Sequence, residues 1–292
     1  MKRKLTLKFR LVFFLLLLVQ ASCGIKKTTV VPQSERLLPA KTATRPELLQ
    51  SLLGKSGQID TLKATVALDL SRGGAKTGVL DEYRQTKGYV IVERPAHIRV
   101  QVQMPLVLTT VAVMVSDGAQ YRVSVPIKNQ FLIEDVNAPI DSRNSLSTLR
   151  PQIFLEGLFV DVRPYVDKPN VSSFLEEVVI GVHSYYVFSF FKTESSDTQL
   201  LEKIWIDRSA LQVVRKQQFG KDGRVETDVD YQDYPRAEGG GVQFPKTIVI
   251  HRPNEELTVK VTFQQAELNE TVDQKSFDLP RPQGSELVQL KK

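Results

Sequence analysis

Alternating apolar and polar residues dominate the chain after residue 60 and predict a long series of β-strands. The alternation is clearest in TLKATVALDL, HIRVQVQM and ELTVKVTFQQ, where apolar residues occupy every second position. Because successive side chains of a strand point to opposite faces, each segment places one face in a core and the other in solvent. Turn signals such as Asp117-Gly118 separate the segments, and we predict about 11–12 strands in an antiparallel sheet or barrel.

Two segments have helical spacing instead. In TRPELLQSLLGK, Thr44 can cap a helix whose first turn contains Pro46. In SLSTLRPQIFLEGLFV, Pro151 limits the first turn. The apolar residues of this second segment recur at helical intervals, at Leu146, Leu149, Ile153 and Leu158. So few helices among so many strands exclude a doubly wound α/β fold.

The first 22 residues have the composition of a secretory signal. A basic start is followed by an apolar run over residues 11–19 and by the small residues Ala21 and Ser22. The apolar run covers only about half of a roughly 30 Å hydrocarbon layer at about 1.5 Å per residue. We therefore predict a processed signal over residues 1–22 and no spanning helix.

Cys23 is the only cysteine of the chain and directly follows this signal. The ending Ala-Ser-Cys resembles the bacterial lipoprotein signal, in which the thiol takes a diacylglycerol and the Cys becomes the first mature residue. Gln20 departs from the Leu that is usual three positions before that Cys. An ordinary secretory signal or a chance free thiol is the alternative, but a lone thiol exported to an oxidising compartment favours acylation.

Acylation at Cys23 would hold the protein at a membrane. Diacylglycerol and acyl groups are then the covalent modifications we expect, with no other cofactor, and residues 23–44 are the predicted flexible tether. Gly24 stands where enterobacterial lipoproteins retained in the inner membrane have Asp. We therefore expect an outer-membrane location, lipid-anchored and facing the periplasm.

The charge of the mature chain excludes some function classes. The full sequence has 39 basic and 33 acidic residues, but five of the basic residues lie in the signal, so the remainder is close to neutral. No basic stripe remains to suggest a nucleic-acid partner. His97, His183 and His251 have no further ligand at metal-binding spacing, and no nucleophile elbow or phosphate-binding Gly loop is present. We therefore predict neither an enzyme nor a metal site.

Three stretches together form a characteristic order of predicted strands, turns and a helix. They are GYVIVERPAHIRVQVQMPLVLTTVAVMVSDGAQYRVSVP, the helical SLSTLRPQIFLEGLFV, and LEKIWIDRSALQVVRKQQFGKDGRVETDVDYQDY with the following PKTIVI. The first has a strand, an Arg-Pro turn, a strand that ends in Met-Pro-Leu, a strand, an Asp-Gly turn and a strand. Together with TVDQKSFDLPRPQG, this order resembles the LolA/LolB-like family of lipoprotein carriers and receptors over about residues 45–285.

The resemblance implies an architecture and a role. The family's fold is an incomplete antiparallel β-barrel with helices covering its open side, here over residues 45–292, and an apolar cavity that takes acyl chains. The implied function is lipid binding in the localisation of lipoproteins or lipids to the outer membrane. The implied partners are the membrane, through the N-terminal lipid, and acyl chains or lipoproteins as ligand. A non-transporting lipoprotein that docks in an envelope complex is the alternative.

Two apolar sets are the candidate lipid contacts. One lies on a strand and the following turn, where consecutive apolar residues replace the usual polar ones. The other lies on YYVFSFFKT, a strand that is apolar on both faces. The candidates are Val100, Val102, Met104, Leu106 and Leu108 in the first set, and Tyr186, Phe188 and Phe190 in the second. The alternatives are that the aromatic residues fill a core and that the turn packs under a helix.

Overall fold

Fourteen β-strands form one open sheet in the part of the chain that the computed structural model describes. The described residues are 39–74, 76, 78, 80–104, 109–138, 150–194, 197–235 and 242–288. The strands are β1 (Thr61–Gly73), β2 (Leu80–Glu93), β3 (His97–Gln103), β4 (Thr110–Ser116), β5 (Gln120–Val125), β6 (Gln130–Asp135), β7 (Val171–Ile180), β8 (His183–Glu194), β9 (Asp197–Asp207), β10 (Gln212–Phe219), β11 (Val225–Gln232), β12 (Thr247–Arg252), β13 (Leu257–Leu268) and β14 (Glu286–Val288). The helices are α1 (Arg45–Ser56) and α2 (Pro151–Leu158). Neither helix is long and apolar enough to cross a membrane.

The sheet consists of two antiparallel meanders. Strands β1 to β6 pair in chain order, β7 to β13 pair in chain order, and the pairing of β1 with β13 joins the two halves. The short β14 pairs in parallel with β6. Because β14 and β7 stand at opposite ends of the strand order, the sheet does not close, which confirms the predicted incomplete barrel. The strand number exceeds the predicted 11–12, and β14, with three residues, is too short to show an alternating pattern.

Side-chain burial along the strands follows the predicted alternation of apolar and polar residues. In β1 the side chains of Leu62, Ala64, Val66 and Leu68 are buried, and the residues between them are partly exposed. The predicted hairpin at Asp117 is also confirmed, since its carboxylate accepts the backbone N–H groups of Ala119 and Gln120 at 2.9 and 2.8 Å. These local patterns therefore determine which face of each strand enters the core.

Both predicted helices are present and pack against the main hydrophobic core. At the start of α1, Glu47 accepts the backbone N–H of Thr44 at 2.7 Å, and Leu48 and Leu52 are buried. Helix α2 connects the two meanders and begins at Pro151, which lacks the N–H that a first-turn residue does not need. Leu146 and Leu149, predicted to share the helical spacing of Ile153 and Leu158, lie outside the described residues.

The sheet has two rims, and the described chain enters at one of them. The turns at residues 94–96, 117–119, 181–182 and 208–211 form what we call the entry rim, and the turns at residues 126–129, 220–224 and 253–256 form the opposite rim. At the entry rim, the N–H of Lys41 donates to the carbonyl of Arg208 at 2.9 Å. The N–H of Ala43 donates to the hydroxyl of Tyr186 at 3.0 Å. The last residues of the predicted tether thus lie against β8 and the end of β9.

Gly157 allows α2 to approach β12 closely. A Cβ at this position would overlap with the side chain of Ile250. We expect Gly157→Ala to lower the free energy of unfolding by about 1–3 kcal/mol, because an extra methyl group in a filled contact forces its neighbours apart. Urea unfolding followed by circular dichroism measures the effect.

Gly54→Ala in α1 is the matched control. A Cβ there meets no atom within 4 Å. It should leave stability unchanged or raise it by about 0.5–1 kcal/mol, since Ala orders more readily than Gly in a helix. Equal effects of the two substitutions would contradict the close approach of α2 to the sheet.

Candidate functional site

A cavity of about 380 Å³ lies at the entry rim between the helices and the second meander. We call it the entry-rim cavity. Its walls come from α1 and the residues after it, from Arg94, from the end of α2, from β10 and β11, and from residues 242–245. Its volume is at the lower end of the range of about 300–1,000 Å³ that is typical of small-molecule sites.

The cavity has an apolar floor and a polar mouth. Leu52, Leu158 and Val213 are buried in its floor. The polar residues of the lining include the exposed Lys55, Gln58 and Gln243 and the partly exposed Gln212. Such a gradient suits a ligand with an apolar chain and a polar head.

Two tyrosines contribute ring surface to the cavity. The hydroxyl of Tyr231 donates to the carbonyl of Gly157 at 3.1 Å, and that of Tyr234 donates to the carbonyl of Val213 at 2.8 Å. Burial raises the pKa of both phenols, so they stay neutral. Because backbone carbonyls engage the hydroxyl groups, the rings present mainly apolar surface to a ligand.

The segment at residues 242–245 forms the outer wall. The ring of Phe244 lies 5.0 Å from that of Phe263 in an edge-on arrangement and 6.4 Å from that of Phe159. Gln212 donates its amide to Gln243 at 2.9 Å and links this wall to the start of β10. The aromatic contacts fix the base of the segment, and the amide pair fixes its edge at the mouth.

Arg94 holds α1 and the segment after α2 together at the side of the cavity. Its guanidinium donates to the carbonyls of Ser56 at 2.6 Å and Ile59 at 3.3 Å and forms an ion pair with Asp161. Burial would raise the pKa of the Asp161 carboxyl, but hydrogen bonds from Arg163 and the charge of Arg94 hold it below its usual value. Since its donors are engaged in this way, Arg94 acts as a structural clamp.

Two buried ionisable side chains, Lys216 and Glu202, lie behind the wall of the cavity. Lys216 on β10 is 3% exposed, and its ammonium group donates to the carbonyl of Phe159 at 2.8 Å and to that of Glu156. Glu202 on β9 is 2% exposed and accepts the hydroxyl of Tyr165 at 3.3 Å. The ammonium group thus satisfies carbonyls at the C-terminal end of α2, where a positive charge is also favoured by the helix dipole.

Burial determines the ionisation of this pair. It raises the pKa of Glu202 to about 7, although the charge of Lys216 and the hydrogen bond from Tyr165 favour the carboxylate. It also lowers the pKa of Lys216, against the attraction of Glu202. The carboxyl of Glu202 therefore keeps its proton to a higher pH than an exposed carboxyl does.

The structure places the predicted lipid contacts elsewhere. Val100, Tyr186, Phe188 and Phe190 are buried in the main core, Val102 packs partly buried against it, and Met104 is 44% exposed next to the β3–β4 turn on the opposite rim. None of these six lines the entry-rim cavity. Leu106, Leu108 and Cys23 lie outside the described residues, as do the predicted signal 1–22 and most of the tether. The assignment of lipid contacts to these residues stays a prediction.

The aromatic residues of β8 have identifiable packing partners. Phe190 stacks with Tyr165 at a ring distance of 5.1 Å and with Phe188 at 6.0 Å. Tyr186 lies under the guanidinium of Arg208, 4.7 Å from the ring centre, and bonds to the entering chain. In this structure they fill the core and anchor residues 41–43.

The cavity residues give no joint signal in the sequence. Leu52 belongs to the apolar stripe of α1, and Val213 to an ordinary strand pattern. Arg94, Leu158 and Phe244 are far from both along the chain. Only the tertiary structure brings these segments together. The residues that the structure describes contain no group of three or more His, Cys, Asp or Glu side chains that could hold a metal ion.

Known structures show the fold. No protein-family model and no curated protein sequence matches the chain. A DUF1329 family protein from Desulfovibrio piger is similar at a TM-score of 0.51 and 11% identity, over 79% of this chain and 94% of that chain. That match shows a common fold and nothing about function. The incomplete barrel with its helices also has the strand and turn order predicted from the sequence. The chain therefore shares the fold of this DUF1329 family protein, seen here as an incomplete antiparallel barrel.

Two further solved structures are similar at lower scores. A LolA superfamily protein from Nitrosomonas europaea matches at a TM-score of 0.47 and 14% identity, over 77% of this chain and 96% of that chain. An outer membrane lipoprotein-sorting protein domain from Vibrio parahaemolyticus matches at 0.49 and 10% identity, over 80% and 95% of the two chains. With TM-scores below 0.5, these two matches carry no argument about function.

Proposed function

We propose that this protein is a lipid-anchored protein of the bacterial envelope that binds an acyl chain, of a lipid or a lipoprotein, without catalysing a reaction. Acylation at Cys23 would hold it at the outer membrane, facing the periplasm. The cavity would take up the acyl chain in the localisation of lipids or lipoproteins. The observation that carries this proposal is the apolar floor and polar mouth of the entry-rim cavity in an incomplete antiparallel barrel.

The driving force for binding would be the removal of acyl surface from water. Each methylene group that leaves water contributes about 0.8 kcal/mol. The floor residues offer dispersion contacts, and the exposed Lys55, Gln58 and Gln243 surround the position of a polar head group. No bond needs to be made or broken for such an exchange, which agrees with the predicted absence of catalysis.

Binding of a fluorescent fatty acid tests the proposal. We expect the purified full chain to bind dansylundecanoic acid, and Val213→Phe to weaken that binding at least tenfold, equivalent to about 1.4 kcal/mol. The reason is that a phenyl ring at this floor position occupies the space of the ligand. Titration of the emission intensity gives both dissociation constants.

Ile133→Phe is the control, because Ile133 lies on β6, is 41% exposed and is not part of the cavity. It should bind as the unaltered chain does. If the fatty acid fails to bind, or if Val102→Phe abolishes binding while Val213→Phe does not, the entry-rim cavity is not the lipid site. If the chain binds no acyl ligand, the result favours the alternative function, a non-transporting lipoprotein that docks in an envelope complex.

A further inference from the structure

We propose that the tip of the β7–β8 hairpin is a membrane-contacting element that inserts into the surface of the bilayer to which the protein is anchored. The tip comprises residues 179–182. This inference rests on the proposed lipid anchor at Cys23, and it adds a second, non-covalent contact with the same membrane.

The tip is apolar where a turn is usually polar. Val179, Ile180 and Val182 are 67%, 55% and 70% exposed. Gly181, with φ of 60°, forms the tight turn between them. No acidic or basic residue other than the exposed His183 lies within residues 178–183. Inserting this tip into a membrane surface would therefore remove apolar side chains from water without burying a fixed charge.

Two other turns of the entry rim have a different composition. The β4–β5 turn contains Asp117 and Gly118, and the β9–β10 turn contains Arg208 and Ser209. Neither turn contains a comparable group of exposed Val or Ile side chains. The exposed apolar group at the hairpin tip is therefore not repeated in these two described turns of the rim.

The described chain enters beside this tip. The N–H of Lys41 donates to the carbonyl of Arg208, and the N–H of Arg208 donates to the carbonyl of Ser184 at 3.0 Å. Ser184 is in turn the ladder partner of Val179. Because neighbouring strands lie about 4.8 Å apart, these steps place Lys41 within about 15 Å of the tip.

This proximity selects the bilayer as the partner of the tip. The chain between Cys23 and Lys41 spans at most about 60 Å even when fully extended. An acyl group on Cys23 would therefore keep the entry rim within about 60 Å of the membrane, and the exposed tip is on that rim. The mouth of the entry-rim cavity opens on the same rim, next to Gln212 at the start of β10. An acyl chain could thus pass between bilayer and cavity over a short distance.

A polarity-sensitive fluorophore on a single introduced cysteine tests the proposal. The full-length acylated protein is reconstituted in phosphatidylethanolamine and phosphatidylglycerol vesicles, with Val182→Cys labelled in one sample. The matched control is Ile127→Cys, which is 60% exposed in a turn of the opposite rim. Because a thioether occupies Cys23 in the acylated protein, the introduced thiol is the only one available to the label.

We expect the emission of the label at position 182 to shift to shorter wavelength and to be quenched by lipids that carry a nitroxide near the head group. Interfacial apolar groups bury about 5–10 Å into the boundary between head groups and acyl chains. The label at position 127 should keep its emission in water and escape quenching. Water-like emission at both positions, or a stronger response at position 127, would overturn the proposal.

Two further outcomes separate this proposal from the proposed function. If the unaltered chain itself takes up the label, Cys23 is free, and the anchor fails whatever the tip does. If the shift at position 182 also occurs in detergent without vesicles and grows with protein concentration, the tip contacts a second copy of this chain, and membrane insertion is wrong. Neither result depends on whether the cavity binds the fatty acid.

Discussion

Lys216→Met is expected to lower the free energy of unfolding by about 3–5 kcal/mol, because it removes a buried charge that compensates two carbonyls and favours the Glu202 carboxylate. The substitution leaves Glu202 without its opposing charge in a site that is 2% exposed. It also deprives the carbonyls of Glu156 and Phe159 of their shared donor at the end of α2. Met has a similar length, so the loss reflects charge and hydrogen bonding more than volume. Urea unfolding at pH 7 measures the difference.

Lys203→Met is the matched control on the neighbouring strand. Lys203 follows Glu202 on β9, but its side chain is 29% exposed and lies 3.7 Å from the carboxylate of Glu176 at the surface. Such a pair contributes about 0.2–1 kcal/mol at most. The double variant Lys216→Met/Glu202→Gln should recover part of the loss, because it removes the uncompensated carboxylate. Equal losses for Lys216→Met and Lys203→Met would contradict a stabilising role of the buried Lys216 ammonium group.

Glu202→Gln is expected to change the pH dependence of stability. Burial raises the pKa of Glu202 in the folded protein to about 7, above its value in the unfolded chain. The folded protein therefore holds this proton more tightly, and stability from this group is present at low pH and is lost as pH rises from about 4.5 to 7. The full loss is on the order of 3 kcal/mol. Unfolding of the Gln variant should lack this decline.

The groups around Glu202 define the conditions of that measurement. Lys216 and Tyr165 favour the carboxylate, and the carboxyl of Glu156 opposes it. Profiles are compared between pH 5 and 7.5, and only the difference between the unaltered chain and the Gln variant is assigned to Glu202. Glu176→Gln, at the surface beside Lys203, is the control and should keep the decline. A decline of equal size in Glu202→Gln would show that another group carries the proton.

The alternation of β9 accounts for the inward direction of Glu202, whereas the alternation of β10 does not account for that of Lys216. Glu202 is in phase with Ile204 and Ile206, which are buried on the same face of β9. On β10 the pairing register shifts between Val213 and Arg215, so that Val213 and Lys216 are both buried although they are three positions apart. A bulge of this kind reverses the alternation locally, and the alternating pattern alone assigns Lys216 to the wrong face.

The candidate lipid-binding site also could not be located from local sequence patterns alone. The apolar stretch of β8 predicted lipid contacts or core packing; Phe188 and Phe190 are buried in the core, and their contact with lipid stays a prediction. The entry-rim cavity instead combines short contributions from several segments, among them Leu52 of α1 and Phe244. None of these contributions has a local pattern that distinguishes a ligand wall from a core.

The sequence by itself determined the strand-rich class, the start of each helix, the tight turns and the inward face of most strands. These features depend on side-chain alternation and capping within a few residues, as in β1 and at Thr44. Only the tertiary structure decided the joining of β1 to β13, the place of the cavity and the entry of the chain beside the tip at residues 179–182. Those features depend on contacts between residues far apart in the chain, which no local pattern encodes.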